Sequence, residues 1–372
     1  MKQIKSISAL ILAVVMLLCL MACGTGGNTE KPAPASEAAD APAEAADAAA
    51  PEEVYTLVFS FHDPDTNTQN TEIFQPYFEK ITEETDGRVQ FECHYNGELV
   101  GLGEAYDAVA KGTVDIAVIR DGTLPYCPIL TLIENPPLTG GICTRSSYVL
   151  NQLADEYPEL ENNFPGIKFM LRYQMTYGYL GTTASCGPIE TYDDLSGKTL
   201  IIGSALAADR LSAYGGTPLD VLPPDFYTSL EKGLADGAMT VTQPEMVTYS
   251  WSDVVKNVTL VPVIHAVTSV VINQEVWESL PADIQQIIEG LNGYAVDLAD
   301  TAMNEANDEA IATLKSDYGT TFVEPSEDLI TAMYEADQDV YAEYIQNLKD
   351  QGMANAEEIY ARYMELYEEY SE

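Results

Sequence analysis

At residues 54–61 the run VYTLVFSF sets apolar and aromatic side chains almost continuously, which predicts a buried strand, and the HDP that follows breaks it. Within residues 68–85, Ile73, Tyr77, Phe78 and Ile81 recur on one helical face. The pattern then predicts a strand over 88–94, a helix over about 102–111 stopped by Gly112, and a buried strand in VDIAVI at 114–119. A helix over 146–157 and a strand over 167–173 close this first set. Strands at 199–202, 219–222 and 238–242, with helices over 204–214 and 224–234, make a second. An apolar return strand over 262–273 precedes helix-rich sequence, including a run over 282–318 that is too long for one small lobe and is expected to brace two. Alternating strands and helices predict an α/β fold with largely parallel sheets, whose ligands sit beyond the carboxyl ends of the strands. In the first set those ends are His62-Asp63 and Arg120-Asp121.

The first 22 residues do not belong to this pattern. Lys2 and Lys5 precede an apolar run from Ala9 to Ala22, the layout of a secretory signal peptide. The run is short for a membrane span, and Leu20-Met21-Ala22-Cys23 matches a bacterial lipobox, so Cys23 is the expected lipid attachment point. Residues 23–53 are almost entirely Ala, Pro, Gly, Ser and acid, which builds no core and reads as a disordered tether. The remaining divisions are lobe 1 over 54–177, lobe 2 over 178–260, and a crossing strand with helices over 261–372 that complete both.

The chain carries 59 Asp and Glu against 17 Lys and Arg, a formal charge of -42, which disfavours nucleic acid and anionic lipid as partners. Beyond Cys19 and Cys23, the cysteines at 93, 127, 143 and 186 lack metal-type spacing and could form one disulfide whose pairing sequence does not give. No GxSxG elbow, HExxH or Walker loop is present, and His62, His94 and His265 are widely spaced, so neither an enzyme nor a bound metal or cofactor is expected.

Four segments in order, TDGRVQFECHYNGEL with GEAYDAVAKGTVDIAVI, PIETYDDLSGKTL, GGTPLDVLPPDFYTSLEKGLADG and VVINQEVWESLPADIQQII, resemble the solute-binding proteins of tripartite ATP-independent periplasmic (TRAP) transporters, of the dicarboxylate-binding DctP type. The resemblance covers nearly all of residues 54–345. It implies a two-lobe, type II-like periplasmic-binding-protein fold with a long C-terminal hinge-bracing helix, closing over one small organic solute and delivering it to membrane permease subunits. It implies no catalysis. Within these segments Gly112 and Gly237 read as helix stops, Asp115 and Asp236 as backbone caps, and Trp277 and Leu280 as core. A solute-sensing lipoprotein docked to a membrane kinase, or an ABC-type binding lipoprotein, are the alternatives.

Typical members hold an organic acid through an arginine on the strand after the PIETYDDLSGK-like turn and a second about nine residues before the Pro-Ile pair. Here those positions fall on Ile201 and near Leu180. A carboxylate needs a charged, hydrogen-bonding partner when buried. Either the solute is not a simple carboxylate or another arginine has taken over, Arg120 first and Arg172 next; Asp121 beside Arg120 offers a plain surface ion pair instead. Without an arginine, the cleft is expected to be lined by Tyr126, Tyr173, Tyr177, Tyr179, Leu180, Ile201 and Trp251, suiting an uncharged, aromatic or cationic solute. Ser204, Thr242 and Gln243 are candidate polar selectors, and His62 and His265 candidates to approach the cleft.

Overall fold

A computed structural model describes residues 53–371 other than 136, 137, 139–141 and 222–224. The expected leader, Cys23 and nearly all of the tether lie outside the described residues. In the first sheet β1 (Tyr55–Ser60), β2 (Val89–His94) and β3 (Ile116–Arg120) run parallel in the order β2-β1-β3, with α1 (Gln75–Glu84) and α2 (Ala105–Ala110) as crossovers. β10 (Val267–Asn273), antiparallel to both its neighbours, and then β4 (Ile167–Gln174), which runs in the sense of β1–β3, complete it. The second sheet repeats the plan. There β6 (Thr199–Ile202), β7 (Thr217–Asp220) and β8 (Gly237–Thr242) are parallel, connected through α6 (Ala205–Ala213) and α7 (Phe226–Glu231). β5 (Gly178–Thr183), antiparallel to both its neighbours, follows, then β9 (Val255–Ile264), which runs in the sense of β6–β8, and β11 (Thr321–Val323) lies parallel to β9 at the edge.

Each sheet is therefore largely parallel, as expected, with one reversed strand, β10 in the first and β5 in the second, each the strand by which the chain enters from the other lobe. The return strand expected over 262–273 is two strands, broken at His265-Ala266 where the chain leaves one sheet for the other. Residues 175–177 make the other passage, from β4 to β5. The two passages are tied together: the Met175 amide donates to the Ala266 carbonyl at 2.9 Å and the Gln174 side chain to the His265 carbonyl at 3.0 Å.

Between the sheets' own elements lie α3 (Leu130–Ile133), α4 (Ser146–Glu156), α5 (Glu159–Asn162), α8 (Gln243–Thr248) and α9 (Gln274–Ser279). The 282–318 run is two helices, α10 (Ala282–Gly290) and α11 (Asn292–Asp317). α11 places Ala295, Val296, Ala299 and Met303 in the core that holds Phe59 and Val118, and its far-end Leu314 against the cluster of Tyr179, Trp251 and Val258. The last helices, α12 (Glu327–Asp350) and α13 (Ala356–Glu369), add a second brace: Leu329 and Met333 of α12 pack with Leu200 and Leu211, whereas Tyr341 and Leu348 join the cluster of Ile119 and Leu150.

The resemblance segments show why their glycines and aspartates stand where they do. Asp115 and Asp236 accept the backbone N–H of Val58 at 2.8 Å and of Thr199 at 2.9 Å, holding the first strand of each sheet in the same way. Gly112 closes α2 at φ +68, a conformation glycine takes without strain. Gly237 is not a helix stop. It opens β8, where a Cβ would sit 2.1 Å from the Gly181 carbonyl oxygen. Gly237→Ala must push two backbones apart and is expected to destabilise the fold by about 1–3 kcal/mol, read as a lower urea midpoint; an unchanged midpoint would contradict this close approach.

Candidate functional site

Arg120 ends β3, and its antiparallel partner Thr268 also faces Tyr173 across β4. Cross-strand partners share a face, so Arg120, Thr268 and Tyr173 form a row at one end of the first sheet. Tyr173 is fully buried and donates its hydroxyl to Gln69, while the buried Thr268 hydroxyl has no protein partner. The parallel register of β1 on β3, Ser60 against Ala117, brings His62-Asp63 to the same end.

The chain has six arginines. Arg88 pairs with Asp283, Arg145 with Asp297, Arg172 with Asp121, Arg210 with Asp337, and Arg362 with Glu156. The Arg120 guanidinium alone has no hydrogen bond and no carboxylate within 4.0 Å among the described residues. Asp121, its neighbour in sequence, is committed to Arg172 at 2.7 Å and to the Ser269 hydroxyl at 2.9 Å. That settles against a surface pair between Arg120 and Asp121.

Charges converge on Arg120 without touching it. Burial and the nearby Arg120 charge hold the His62 imidazole below its usual range, against the pull of Asp63, whose carboxylate is 3.7 Å from Nε2. Glu134 follows α3 and accepts the Val267 N–H at 2.8 Å. Its carboxyl lies over Gly122, where a Cβ would come within 1.9 Å of Oε2. Burial pushes Glu134 up to about 7, with Arg120 opposing. From the second lobe comes Tyr249, 51% exposed, whose hydroxyl is raised by burial and by Asp63 and Glu245 and lowered by Arg120. The charged end of the first sheet thus faces a tyrosine on the other lobe.

Glu134 also gives a signed pH dependence together with His265, which burial lowers to about 3. His265 stays neutral when folded but takes a proton when unfolded, so its contribution is present above about 6.5 and falls as pH drops from there toward 3. Glu134 has the opposite sign: the folded state holds its proton, so its contribution is present below about 4.5 and is lost as pH rises toward 7. Between those limits the two oppose each other. Glu134→Gln is expected to leave the His265 slope alone, so the variant's unfolding free energy rises more steeply than the wild type's from about pH 4.5 to 6.5; parallel curves in urea titrations would contradict the assignment.

Of the residues expected at the cleft, His62, Arg120 and Tyr173 meet here, and the others do not. Arg172 sits opposite Ser269, one step from Thr268, and so emerges on the other face, fully buried against Asp121 with the Phe169 ring 3.9 Å from its guanidinium carbon. Tyr126 packs on Tyr106 and Phe164. Leu180 and Ile201 are 1% exposed: Leu180 lies in a core with Ile202 and Val261, and Ile201 in one with Tyr179, Phe226 and Trp251. Trp251 itself stacks on Phe226 at 3.9 Å. Ser204 caps α6 by accepting the Ala207 N–H at 3.1 Å, and Thr242 donates to Glu245 at 2.7 Å. Gln243 is buried with both amide atoms unpartnered. His265 stacks on Tyr177 at 3.7 Å and lines a small cavity with Ser146, Asp300 and Asn304, the last two from α11. Pattern reading singled out neither Glu134, Thr268 nor Tyr249.

Among the described residues no group of three or more His, Cys, Asp or Glu is placed to hold a metal, the four cysteines are free thiols, and no helix is long and apolar enough to cross a membrane. Residues 59–347 match the family model DctP, bacterial extracellular solute-binding protein, family 7. The chain belongs to that family. A solute-binding protein of Sulfitobacter sp. strain NAS-14.1 is 25% identical over 229 residues, 59% of this chain and 66% of that one. The C4-dicarboxylate-binding periplasmic protein DctP of Rhodobacter capsulatus is 26% identical over 258 residues, 66% of this chain and 73% of that one. A TRAP periplasmic solute-binding protein from Bordetella bronchiseptica, solved with bound (R)- and (S)-mandelate, superposes with a TM-score of 0.73 at 22% identity, covering 85% of this chain and 99% of that one. As a family 7 member the chain is an extracellular solute-binding protein, and that family is one of receptors rather than a catalytic one. Both positions where the family resemblance calls for arginine are apolar core in this member.

Proposed function

We propose that this receptor holds its solute between the lobes by an oxyanion on Arg120, at the end of β3, in place of arginines at Leu180 and Ile201. The carrying observation is that the five other arginines are ion-paired and Arg120 is not. A guanidinium fork matches a carboxylate in two hydrogen bonds. Thr268, with an unpartnered buried hydroxyl in the same row, supplies a further donor. The first lobe takes up the solute, and Tyr249 of the second adds contacts made only when the lobes approach. That differential contact shifts the population toward the closed form. Cys23 would carry the lipid that keeps the receptor near its permease subunits. Relatives that bind mandelate or C4-dicarboxylates support an organic-acid class.

Mass spectrometry of solute released from the denatured, purified protein tests the reading. A single small carboxylate-bearing species at near-stoichiometric amount is expected. Release of a solute without an anionic group would contradict it.

A further inference from the structure

We propose that the solute is amphoteric, carrying a protonated amine as well as its oxyanion, with the oxyanion on Arg120 and the amine on Asp63. The inference rests on Arg120 as the anchor and names the class of molecule it anchors.

The observations concern two opposite charges that share one end of the first sheet and leave each other unpaired. Among the described residues Arg120 has no carboxylate within 4.0 Å, so Asp63 forms no ion pair with it. Asp63 is held in place: the Asn67 side-chain amide donates to its Oδ2 at 3.1 Å. Its ionic neighbour is His62 at 3.7 Å, whose imidazole burial and then Arg120 hold below its usual range against the pull of Asp63. Asp63 is thus oriented but not neutralised. Glu134, whose carboxyl is fixed by the Val267 N–H at 2.8 Å, is pushed by burial to hold its proton and does not neutralise Arg120. The Tyr249 hydroxyl, on the second lobe, is raised by burial and by Asp63 and lowered by Arg120.

A plain monoanion on Arg120 would bring its charge to the sheet end that also carries Asp63, with nothing to offset it. An amine on the same molecule, a few bonds from the carboxylate, satisfies both ends. The whole-chain field favours the same choice: with 59 acidic and 17 basic residues, the protein repels a net anion but not a zwitterion. Small amino acids and other amine-bearing carboxylic acids are the class that fits.

The test uses isothermal titration of the full chain, stripped of solute by unfolding and refolding, with matched pairs: leucine against 2-hydroxyisocaproate, phenylalanine against phenyllactate, and glutamate against 2-hydroxyglutarate. At least one amino acid is expected to bind about tenfold or more tighter than its hydroxy partner. Asp63→Asn, which alters only the contacts to His62 and Asn67, is expected to remove that preference by weakening the amino acid alone. Should that variant melt early, Asp63→Ser, expected to remove the same preference, serves as the second arm. Hydroxy acids binding equally or better, neither member of any pair binding, or a preference that survives both substitutions would overturn the proposal. Retained binding of a pair by Arg120→Ala would instead overturn the anchor reading. Loss of both members there, with selective loss in Asp63→Asn, supports both.

Discussion

Replacing Arg120 with alanine is expected to weaken solute binding by about 100-fold or more while leaving the melting temperature of the unliganded protein unchanged. The two halves of this result have separate causes. Truncating one side of a desolvated, hydrogen-bonded charge pair costs about 2–5 kcal/mol, and about 1.4 kcal/mol is a factor of ten in affinity. In the unliganded protein Arg120 has no hydrogen bond or ion pair to lose, so folding gives up only the packing of its stem. Lysine keeps the charge but not the planar fork, so Arg120→Lys should fall between the two. Titration calorimetry and thermal melting on the same preparations read both halves. An Arg120→Ala variant that binds normally would remove the anchor, and one that fails to fold would show that the guanidinium has a structural partner.

Asp337→Ala is expected to have the largest effect on stability. Arg210, fully buried on α6, donates Nε and Nη2 to the two Asp337 oxygens at 3.1 and 3.0 Å. Its Nη1 donates to the Asn135 side chain at 3.0 Å and to the Val263 carbonyl at 2.9 Å, and Tyr214 also donates to Asp337. One guanidinium therefore joins α6, the bracing α12, the crossing strand β9 and the segment after α3. Removing Asp337 strands a buried charge, which costs about 3–5 kcal/mol. At about 2 °C per kcal/mol for a chain of this size, the melting temperature should fall by ~6–10 °C. Replacing both charges, Arg210→Met with Asp337→Leu, should recover much of that loss, since an apolar pair of similar volume avoids the desolvation penalty. A drop under 2 °C in Asp337→Ala, on the order of 1 kcal/mol by the same conversion, would show that the network contributes little.

How much of this was legible in the sequence depended on the range of the interaction. The strand–helix–strand runs of both sheets were readable because their periodicity is local: Leu57 and Phe59 sit in a strand, and Ile73, Tyr77 and Ile81 on one helical face. The reversal of β10 and β5 was not, since the sense in which a strand enters a sheet is set by where the chain has already been. The break between β9 and β10 at His265-Ala266 carries neither glycine nor proline, and the bracing by α12 reads as an ordinary amphipathic helix. At the site, His62, Asp63 and Arg120 were visible as strand ends. Choosing between Arg120 and Arg172 required register: a one-residue difference against β10, Thr268 or Ser269, sends the two arginines to opposite faces. Glu134 and Tyr249 reach Arg120 from segments distant in sequence, with no motif to mark them. The missing arginines at Leu180 and Ile201 were the informative sequence feature, and the core packing of both side chains explains why no charge stands there.

A crystal structure of the protein with the solute it carries through purification tests the central claim most directly. The account predicts an oxyanion of that solute between the lobes, its oxygens about 2.7–2.9 Å from the Arg120 guanidinium nitrogens, with Tyr249 closed over it. A solute bound between the lobes with Arg120 turned to solvent, or one held outside the cleft, would contradict it.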